Sequence, residues 1–205
     1  MGHRALVAYE RTDGTYNLHY SHWDGATLRL KHRITEETPF GEGSATEHAR
    51  ETYRSRIHGG QRSAPNEDNP NGLYEVRTQP ETTGVTFREA LVDHLDYQHH
   101  EAFYTVDREF DVTAYRTLWF GLQFESNTVE THPYVGFGAI RTVRWYDGEP
   151  VDDGYVRGEF AGMKRIIGKM VDRGVFDDRT ALEYLKGQVA AMTDTTRKLH
   201  FGTLE

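Results

Sequence analysis

The 205-residue sequence contains no cysteine, and this absence excludes several kinds of site at once. Disulfide bridges, iron–sulfur clusters, thiolate zinc sites and cysteine nucleophiles all depend on that side chain. A chain of this length buries about 70% of its unfolded surface, so it can build a core without such cross-links. We therefore expect one domain that spans residues 1–205.

Long apolar segments are absent as well. No run approaches the roughly 18–20 apolar residues that cross a membrane, and no apolar segment of a signal peptide follows the first residues. The formal net charge of −8 argues against a nucleic-acid binder by bulk charge. These features predict a cytoplasmic protein without a membrane span. We expect it to bind a protein partner or to form a homo-oligomer, with nucleic acid as the alternative partner.

Lysine is scarce, since only 5 of the 24 basic residues are lysine and 19 are arginine. G+C-rich coding and a salty cytoplasm both deplete lysine. The functional alternative is that the planar, forked guanidinium group is retained because it pairs with carboxylates and phosphates and stacks on rings.

Familiar catalytic motifs are also missing. The sequence has no Gly-x-Ser-x-Gly elbow, no Ser-x-x-Lys pair, no phosphate-binding P-loop and no His-Glu-x-x-His zinc motif. No group of residues meets the joint demand for a nucleophile, a base and an orienting group. We therefore predict a non-enzymatic binding or assembly module, and we assign no catalytic residue.

The N-terminal region has the pattern of a β-hairpin. Residues 5–9 and 16–20 flank Asp13-Gly14, a pair typical of a two-residue type I′ turn. That turn would place Ala5 opposite His22, and His3 opposite Asp24. Apolar residues then alternate with basic ones over 28–34, which predicts a third strand.

Later segments predict a mixture of helices and strands. Capping-box patterns at Ser44–Glu47 and Thr86–Glu89 open two helices, and a Gly/Pro/Asn-rich exposed loop covers 58–72. A short strand is predicted at 73–77, and aromatic and β-branched residues predict further strands at 102–106, 112–124 and 135–146.

The C-terminal part predicts a helical hairpin at 153–194. Asp152 or Asp153 caps its first helix, Gly174 ends that helix, and Asp177 caps the second. The fold class is therefore α+β, with a mainly antiparallel sheet, helices on one face, and a C-terminal antiparallel helical hairpin.

Two groups of residues could hold a divalent metal, as in a small metal-dependent hydrolase. The predicted hairpin register brings His3, His22 and Asp24 to one end of the sheet. The second group is Asp96, His99 and His100. If the helix continued through this segment, Asp96 and His100 would lie on one face, because they are separated by four positions. The structural alternatives are a solvated sheet end and histidines that complement a helix C-terminus.

Cations alternate with aromatic rings in two predicted strands, at 115–120 and 141–146. Such a surface suits single-stranded nucleic acid, which stacks its bases on rings, or a protein partner. The structural alternative is that the rings pack beneath helices while arginine stems cover a sheet edge. The candidate nucleic-acid-binding or partner-binding residues, including three on a basic helix face, are Arg116, Trp119, Arg141, Arg144, Arg157, Lys164 and Arg165.

Three segments carry a resemblance to a known group of proteins. MGHRALVAYER at 1–11, YRTLWFGL at 115–122 and VRWYDGEP at 143–150 resemble an uncharacterised family of haloarchaeal proteins. The resemblance implies a high-salt cytoplasm and a genomic origin of the arginine bias, and it transfers no catalytic residue. A charge of −8 is mild for such a cytoplasm. We therefore expect a protein that docks on a partner within a larger complex, or one carried by a virus or mobile element.

Overall fold

The structure is a computed structural model, and it describes residues 3–59, 74–122 and 137–202. These residues form a mixed α+β fold, as predicted from the sequence. The strands are β1 (Arg4–Glu10), β2 (Tyr16–Ser21), β3 (Thr82–Val85), β4 (His100–Val106), β5 (Val112–Trp119), β6 (Gly138–Thr142), β7 (Arg144–Tyr146), β8 (Glu149–Val151) and β9 (Leu199–Phe201). The helices are α1 (Leu30–Arg33), α2 (Glu47–Ile57), α3 (Phe87–Glu89, continued by a π-helical turn, Ala90–His94), α4 (Asp153–Asp172) and α5 (Asp178–Ala191).

Seven strands form one mainly antiparallel sheet in the order β3-β2-β1-β4-β5-β6-β9. β1 pairs antiparallel with β2 and parallel with β4, and β6 pairs antiparallel with β9. β7 and β8 form a separate two-stranded ribbon. Within the described residues, no helix is long and apolar enough to cross a membrane.

The chain divides into two compact units. The first comprises Met1–Leu95 and His100–Tyr115, and the second comprises Asp96–His99 and Arg116–Glu205. Strand β5 therefore begins in the first unit and ends in the second. The expectation that the whole chain folds as one domain stays a prediction.

The N-terminal hairpin forms, but its predicted register is wrong by one residue. Ala5 pairs with Ser21, because the turn is a three-residue loop closed by a bond from the Arg11 N–H to the Thr15 carbonyl (2.8 Å). Within the loop only Gly14 has a positive φ (+78°), whereas a type I′ turn requires two such residues. A slip of one residue exchanges the two faces of a strand.

That exchange brings polar residues of β2 into the core of the first unit. Asn17 and His19 are buried beside Tyr9. The Asn17 amide donates to the Arg56 carbonyl (3.1 Å), and His19 Nδ1 lies 2.8 Å from the Arg77 carbonyl. Burial lowers the pKa of His19 to about 4, so this histidine is a neutral core residue at pH 7.

The predicted strand at 28–34 is also wrong. Leu28 has a positive φ (+60°) and a short helix, α1, follows at Leu30. Leu30 and Ile34 are both buried, and their four-residue spacing fits a helical turn as well as it fits a strand. The alternation of apolar and basic residues therefore predicts correctly which side chains are buried, but it predicts the wrong secondary structure.

Two further local predictions need correction. Helix α2 begins at Glu47 with Thr46 as its N-cap, while the Ser44 hydroxyl closes the preceding turn by donating to the Gly41 carbonyl (2.6 Å). Of the strand predicted near residues 73–77, the described part contains only an isolated bridge between Ser21 and Val76. The exposed loop predicted at 58–72 lies almost entirely outside the described residues, as do the adjoining ends of the strands predicted at 112–124 and 135–146.

Helices α4 and α5 begin and end close to the predicted positions in the second unit. Gly174 has φ +69°, and the Val175 N–H bonds to the Met170 carbonyl (2.9 Å), the predicted C-terminal cap. The Asp177 carboxylate caps α5 by accepting from the Thr180 N–H (2.7 Å). The antiparallel arrangement of these helices and the placement of helices on one face of the sheet stay predictions.

The core of the second unit joins these two helices to β5 and β6. Its buried members are apolar residues of β5, the segment after it, β6, α4 and α5: Leu118, Phe120, Leu122, Ala139, Phe160, Ile167, Ala181, Leu182, Leu185 and Val189. Tyr97 is buried in the same unit, where its ring lies so close to Gly138 and Gly202 that neither position has room for a Cβ.

Candidate functional site

The first predicted metal group does not converge in the structure. His3 Nδ1 lies 2.8 Å from Glu101 Oε1, and His22 Nδ1 lies 2.9 Å from the Tyr20 hydroxyl. Asp24 is buried and accepts a hydrogen bond from the Ser21 hydroxyl. The three side chains do not meet because the hairpin register differs from the predicted one: Ser21, and not His22, lies opposite Ala5.

The second predicted metal group required a helix to continue to His100. Instead the π-helical turn ends at His94, and Asp96 opens a turn by accepting from the N–H groups of Gln98 and His99. Asp96 Oδ2 also contacts His99 Nδ1 (2.7 Å), whereas His100 is a buried residue of β4. Among the described residues, no group of three His, Asp or Glu side chains could hold a metal ion.

A cleft of about 440 Å³ surrounds Asp24 in the first unit. Aromatic and charged residues line it: Tyr20, His22, Trp23, Asp24, Arg29, Tyr74, Glu75 and Arg77. Asp24 Oδ2 accepts from Ser21 (3.0 Å), and Arg29 Nη2 lies 3.6 Å from Oδ1, which accepts no hydrogen bond from the described residues. Burial, followed by the charge of Glu75, raises the pKa of Asp24. The cleft therefore disfavours the ionised form of this carboxyl group.

Asp24→Asn should make the protein more stable than the wild type at neutral pH. A carboxyl group whose pKa is higher in the folded state than the unfolded value near 3.8 stabilises the fold at low pH, and that contribution is lost as the pH rises through the folded-state pKa. Asparagine keeps an oxygen for Ser21 and does not ionise. The denaturant midpoint of the variant, compared with wild type at pH 7 and at pH 3, should show an advantage at pH 7 that shrinks at pH 3. An advantage that grows toward pH 3 would contradict this assignment.

Six of the seven predicted partner-binding residues gather in two pockets of the second unit, and both pockets include Leu118. Arg116, Arg141 and Arg144 line the first, which we call the arginine pocket. Trp119, Arg157 and Lys164 line the second, which we call the lysine pocket. The seventh residue, Arg165, is exposed on α4.

Two of the arginines that line the arginine pocket are paired with carboxylates of the same chain. Arg116 donates through Nε and Nη2 to the two carboxylate oxygens of Asp153 (2.9 and 2.7 Å), and Arg144 Nη2 donates to Asp152 (2.6 Å). Burial, followed by repulsion from Arg197, lowers the pKa of Arg141. The remaining space is about 10 Å³, close to that of a single water molecule. This pocket therefore has no room for a larger ligand.

The lysine pocket has more free space, about 210 Å³. Lys164 is 8% exposed, and its Nζ lies 4.2 Å from the centre of the Trp119 ring and 5.7 Å from that of Phe160. Burial lowers the pKa of Lys164 to about 8. Thr117, Leu118 and Ala161 complete the lining with Arg157. The pocket thus combines an apolar wall with two basic groups.

The exposed surface of α4 carries apolar, basic and acidic residues. We call this surface the α4 outer face, and it comprises Tyr155, Arg157 (which also lines the lysine pocket), Gly158, Glu159, Gly162, Arg165 and Ile166. Tyr155 is 70% exposed and Ile166 is 59% exposed. A Cβ added at Gly158 or Gly162 would have no described atom within 4 Å. No described part of the chain therefore covers these two glycines.

The family of unknown function DUF6735 matches residues 1–201. The chain belongs to the DUF6735 family. No curated protein and no solved structure matches the chain. The DUF6735 family carries no assigned activity.

Several residues of the DUF6735 chain matter to these surfaces although sequence patterns did not single them out. Asp153 neutralises Arg116, and Arg197 lies beside Arg141, but neither relation leaves a local signal because the partners are far apart in sequence. Lys164 was expected on a basic face of α4 and is buried instead. It follows the buried residues Val156 and Phe160 at four-residue steps, a spacing that puts it on their side of the helix.

Proposed function

We propose that this protein is a non-enzymatic binding module, and that the α4 outer face binds an acidic protein partner. The observation that carries the proposal is the exposure of Tyr155 and Ile166 on either side of two uncovered glycines. Large apolar side chains grouped on a surface mark interaction sites more often than side chains scattered singly. Glycine inside a helix costs roughly 1 kcal/mol relative to alanine, so a pair at exposed positions calls for a reason.

Close approach of a partner supplies that reason. Without side chains at Gly158 and Gly162, the backbone of α4 offers a shallow groove between Tyr155 and Ile166. A partner can place a row of apolar side chains along this groove and bury Tyr155 at one end and Ile166 at the other. Arginines 157 and 165 border the groove and provide the polar rim that protein interfaces commonly have.

The charge of α4 favours an acidic partner over a second copy of the same helix. Exposed basic residues on α4 and at its caps (Arg157, Arg165, Lys169 and Arg173) outnumber exposed acidic residues (Asp152, Glu159 and Asp172) by four to three. Two such faces would repel each other in a symmetric dimer, because each residue would meet the same surface. An acidic protein surface complements the excess, although the chain as a whole carries −8.

The alternative functions have less support from the geometry. For single-stranded nucleic acid, Arg116 and Arg141 are buried, and the Trp119 ring is covered by Lys164 on one side and lies against Gly121. A base therefore has no open ring on which to stack at Trp119. For a metal-dependent hydrolase, the two candidate groups of His and Asp do not meet among the described residues.

The proposed setting is a high-salt cytoplasm. The abundance of arginine and the scarcity of lysine fit such a setting, and the modest charge of −8 fits a protein that works while docked in a larger complex or is carried by a virus or mobile element. High salt screens exposed charge pairs strongly, so apolar contact at Tyr155 and Ile166 would supply most of the affinity.

Replacing both Gly158 and Gly162 with alanine should stabilise the protein and weaken partner binding. Each substitution should raise the free energy of unfolding by about 0.5–1 kcal/mol, because alanine loses less backbone entropy in a helix and its methyl group meets no atom of the described residues. The added methyl groups fill the groove, so recovery of the partner should fall. The measurement combines thermal unfolding with quantitative affinity purification of the tagged protein from its source cells.

Gly187→Ala provides the matched control, because Gly187 is an exposed glycine of α5 with equally open surroundings. It should stabilise the protein to a similar degree and leave partner recovery unchanged. Arg165→Glu should reduce recovery without the gain in stability. The proposal fails if one acidic protein in stoichiometric amount is not recovered with the wild type, or if the double alanine variant recovers it equally well. Recovery of nucleic acid in its place would favour the alternative function.

A further inference from the structure

Lys164 stands apart from the other lysines whose surroundings the structure describes. The Lys31 amine donates to the Val112 carbonyl (2.6 Å), and the Lys186 amine pairs with Glu183 (3.5 Å). Lys169, one turn and a residue further along α4, is exposed to solvent. Lys164 is buried, yet among the described residues no carboxylate pairs with it. Its amine faces two aromatic rings and the free space of the lysine pocket.

This environment favours the neutral amine. Burying an ammonium ion without an acidic partner is costly, and attraction to a ring face returns only about 0.5–2 kcal/mol. The pKa of about 8 reflects that burial. A neutral amine carries a free electron pair and is therefore a nucleophile, which the exposed ammonium of an ordinary lysine is not.

The pocket also limits what the amine can reach. Its free volume of about 210 Å³ is below the roughly 300–1,000 Å³ of typical ligand pockets, so a small molecule fits best. Leu118, Phe160 and Ala161 provide an apolar wall beside the amine. The Arg157 guanidinium lines the same pocket, and its forked donors match a carboxylate.

We propose that Lys164 is a covalent attachment site for a small α-oxo acid, held as an imine on Nζ with its carboxylate toward Arg157. The amine electron pair forms the carbon–nitrogen bond by attacking the carbonyl carbon. The carbonyl oxygen takes up two protons, in net terms those lost by the amine, and leaves as water. The product is a carbon–nitrogen double bond, and the step needs no oxidant or reductant. This site lies beyond the proposed partner-binding function and does not depend on it.

Reductive trapping tests the assignment on the intact wild-type protein. Glyoxylate, the smallest α-oxo acid, is added at pH 7.5 with cyanoborohydride, and peptide mass spectrometry follows the conversion of each lysine with time. Lys164 should be modified at least about tenfold faster than Lys169, because a pKa near 8 leaves far more neutral amine than the ordinary lysine value of about 10.4. This comparison is made within one molecule and needs no variant.

Two further arms test the role of Arg157. Propionaldehyde, which lacks a carboxylate, should modify Lys164 with less preference than glyoxylate does. Arg157→Gln should slow the glyoxylate reaction at Lys164 and leave the propionaldehyde reaction unchanged, with Arg165→Gln as a control on the same helix. Equal rates at Lys164 and Lys169, or modification of Lys164 only after denaturation, would overturn the proposal. If Arg157→Gln slowed the reactions with glyoxylate and propionaldehyde equally, Arg157 would not recognise the carboxylate of the α-oxo acid, and that part of the proposal would be overturned.

Discussion

Asp153→Asn should lower the free energy of unfolding by about 3–5 kcal/mol, the usual cost of removing one partner from a buried ion pair. The Arg116 side chain is 4% exposed and meets both oxygens of Asp153 in a bidentate arrangement. Arginine does not lose its proton in proteins, so the variant would hold a buried charge without its carboxylate. Asparagine keeps the shape of the side chain, so the substitution removes only the negative charge and one hydrogen-bond acceptor.

Urea denaturation monitored by circular dichroism measures this loss, and the chain contains a matched control. Asp152 pairs with Arg144 through an equally short contact, but both side chains are about half exposed. Asp152→Asn should therefore cost less than about 1 kcal/mol. The double variant Arg116→Met/Asp153→Leu should recover most of the loss, because the buried charge of Arg116 is removed together with its partner. Equal costs for the two asparagine variants would contradict the role assigned to burial.

Gly25→Ala should destabilise the first unit by about 3 kcal/mol, at the upper end of typical overpacking costs. A Cβ at this position would overlap the carbonyl oxygen of Arg4 and lie 2.9 Å from that of His3. Both obstacles are backbone atoms and cannot rotate away. The Gly25 N–H also donates to the His3 carbonyl (2.7 Å), which fixes the two segments at this short separation.

Thermal unfolding of Gly25→Ala measures the effect against Gly154→Ala, in which the new methyl group has no atom of the described ranges within 4 Å. We expect the control to unfold at or slightly above the wild-type temperature, because it gains helix propensity in α4. If both variants behave like the wild type, the close approach of Gly25 to Arg4 is not required by the fold.

Local signals in the sequence predict the local geometry of the helix ends correctly. Gly174 ends α4 in the left-handed conformation, Asp177 caps α5, and Thr86 and Glu89 form the predicted capping box. Each of these motifs involves residues only a few positions apart. The chemistry that produces them is therefore contained in the segment itself.

Predictions failed where one pattern fits two geometries or where partners are distant. Asp13-Gly14 fits a two-residue and a three-residue loop, and choosing between them shifted the whole hairpin by one position. The parallel pairing of β1 with β4 joins residues almost a hundred positions apart and leaves no periodic signal. For the same reason, the sequence identified Arg116 as a candidate binding residue but did not identify its ion pair with the distant Asp153.

Tyr97 has a consequence for how the protein can be divided. The four residues Asp96–His99 belong to the second unit, although the chain on both sides of them belongs to the first. A fragment that starts at Arg116 would lack the ring that fills the space over Gly138 and Gly202. No single cut yields two complete halves, so reconstitution from fragments would need the second half supplemented with a peptide that carries Tyr97.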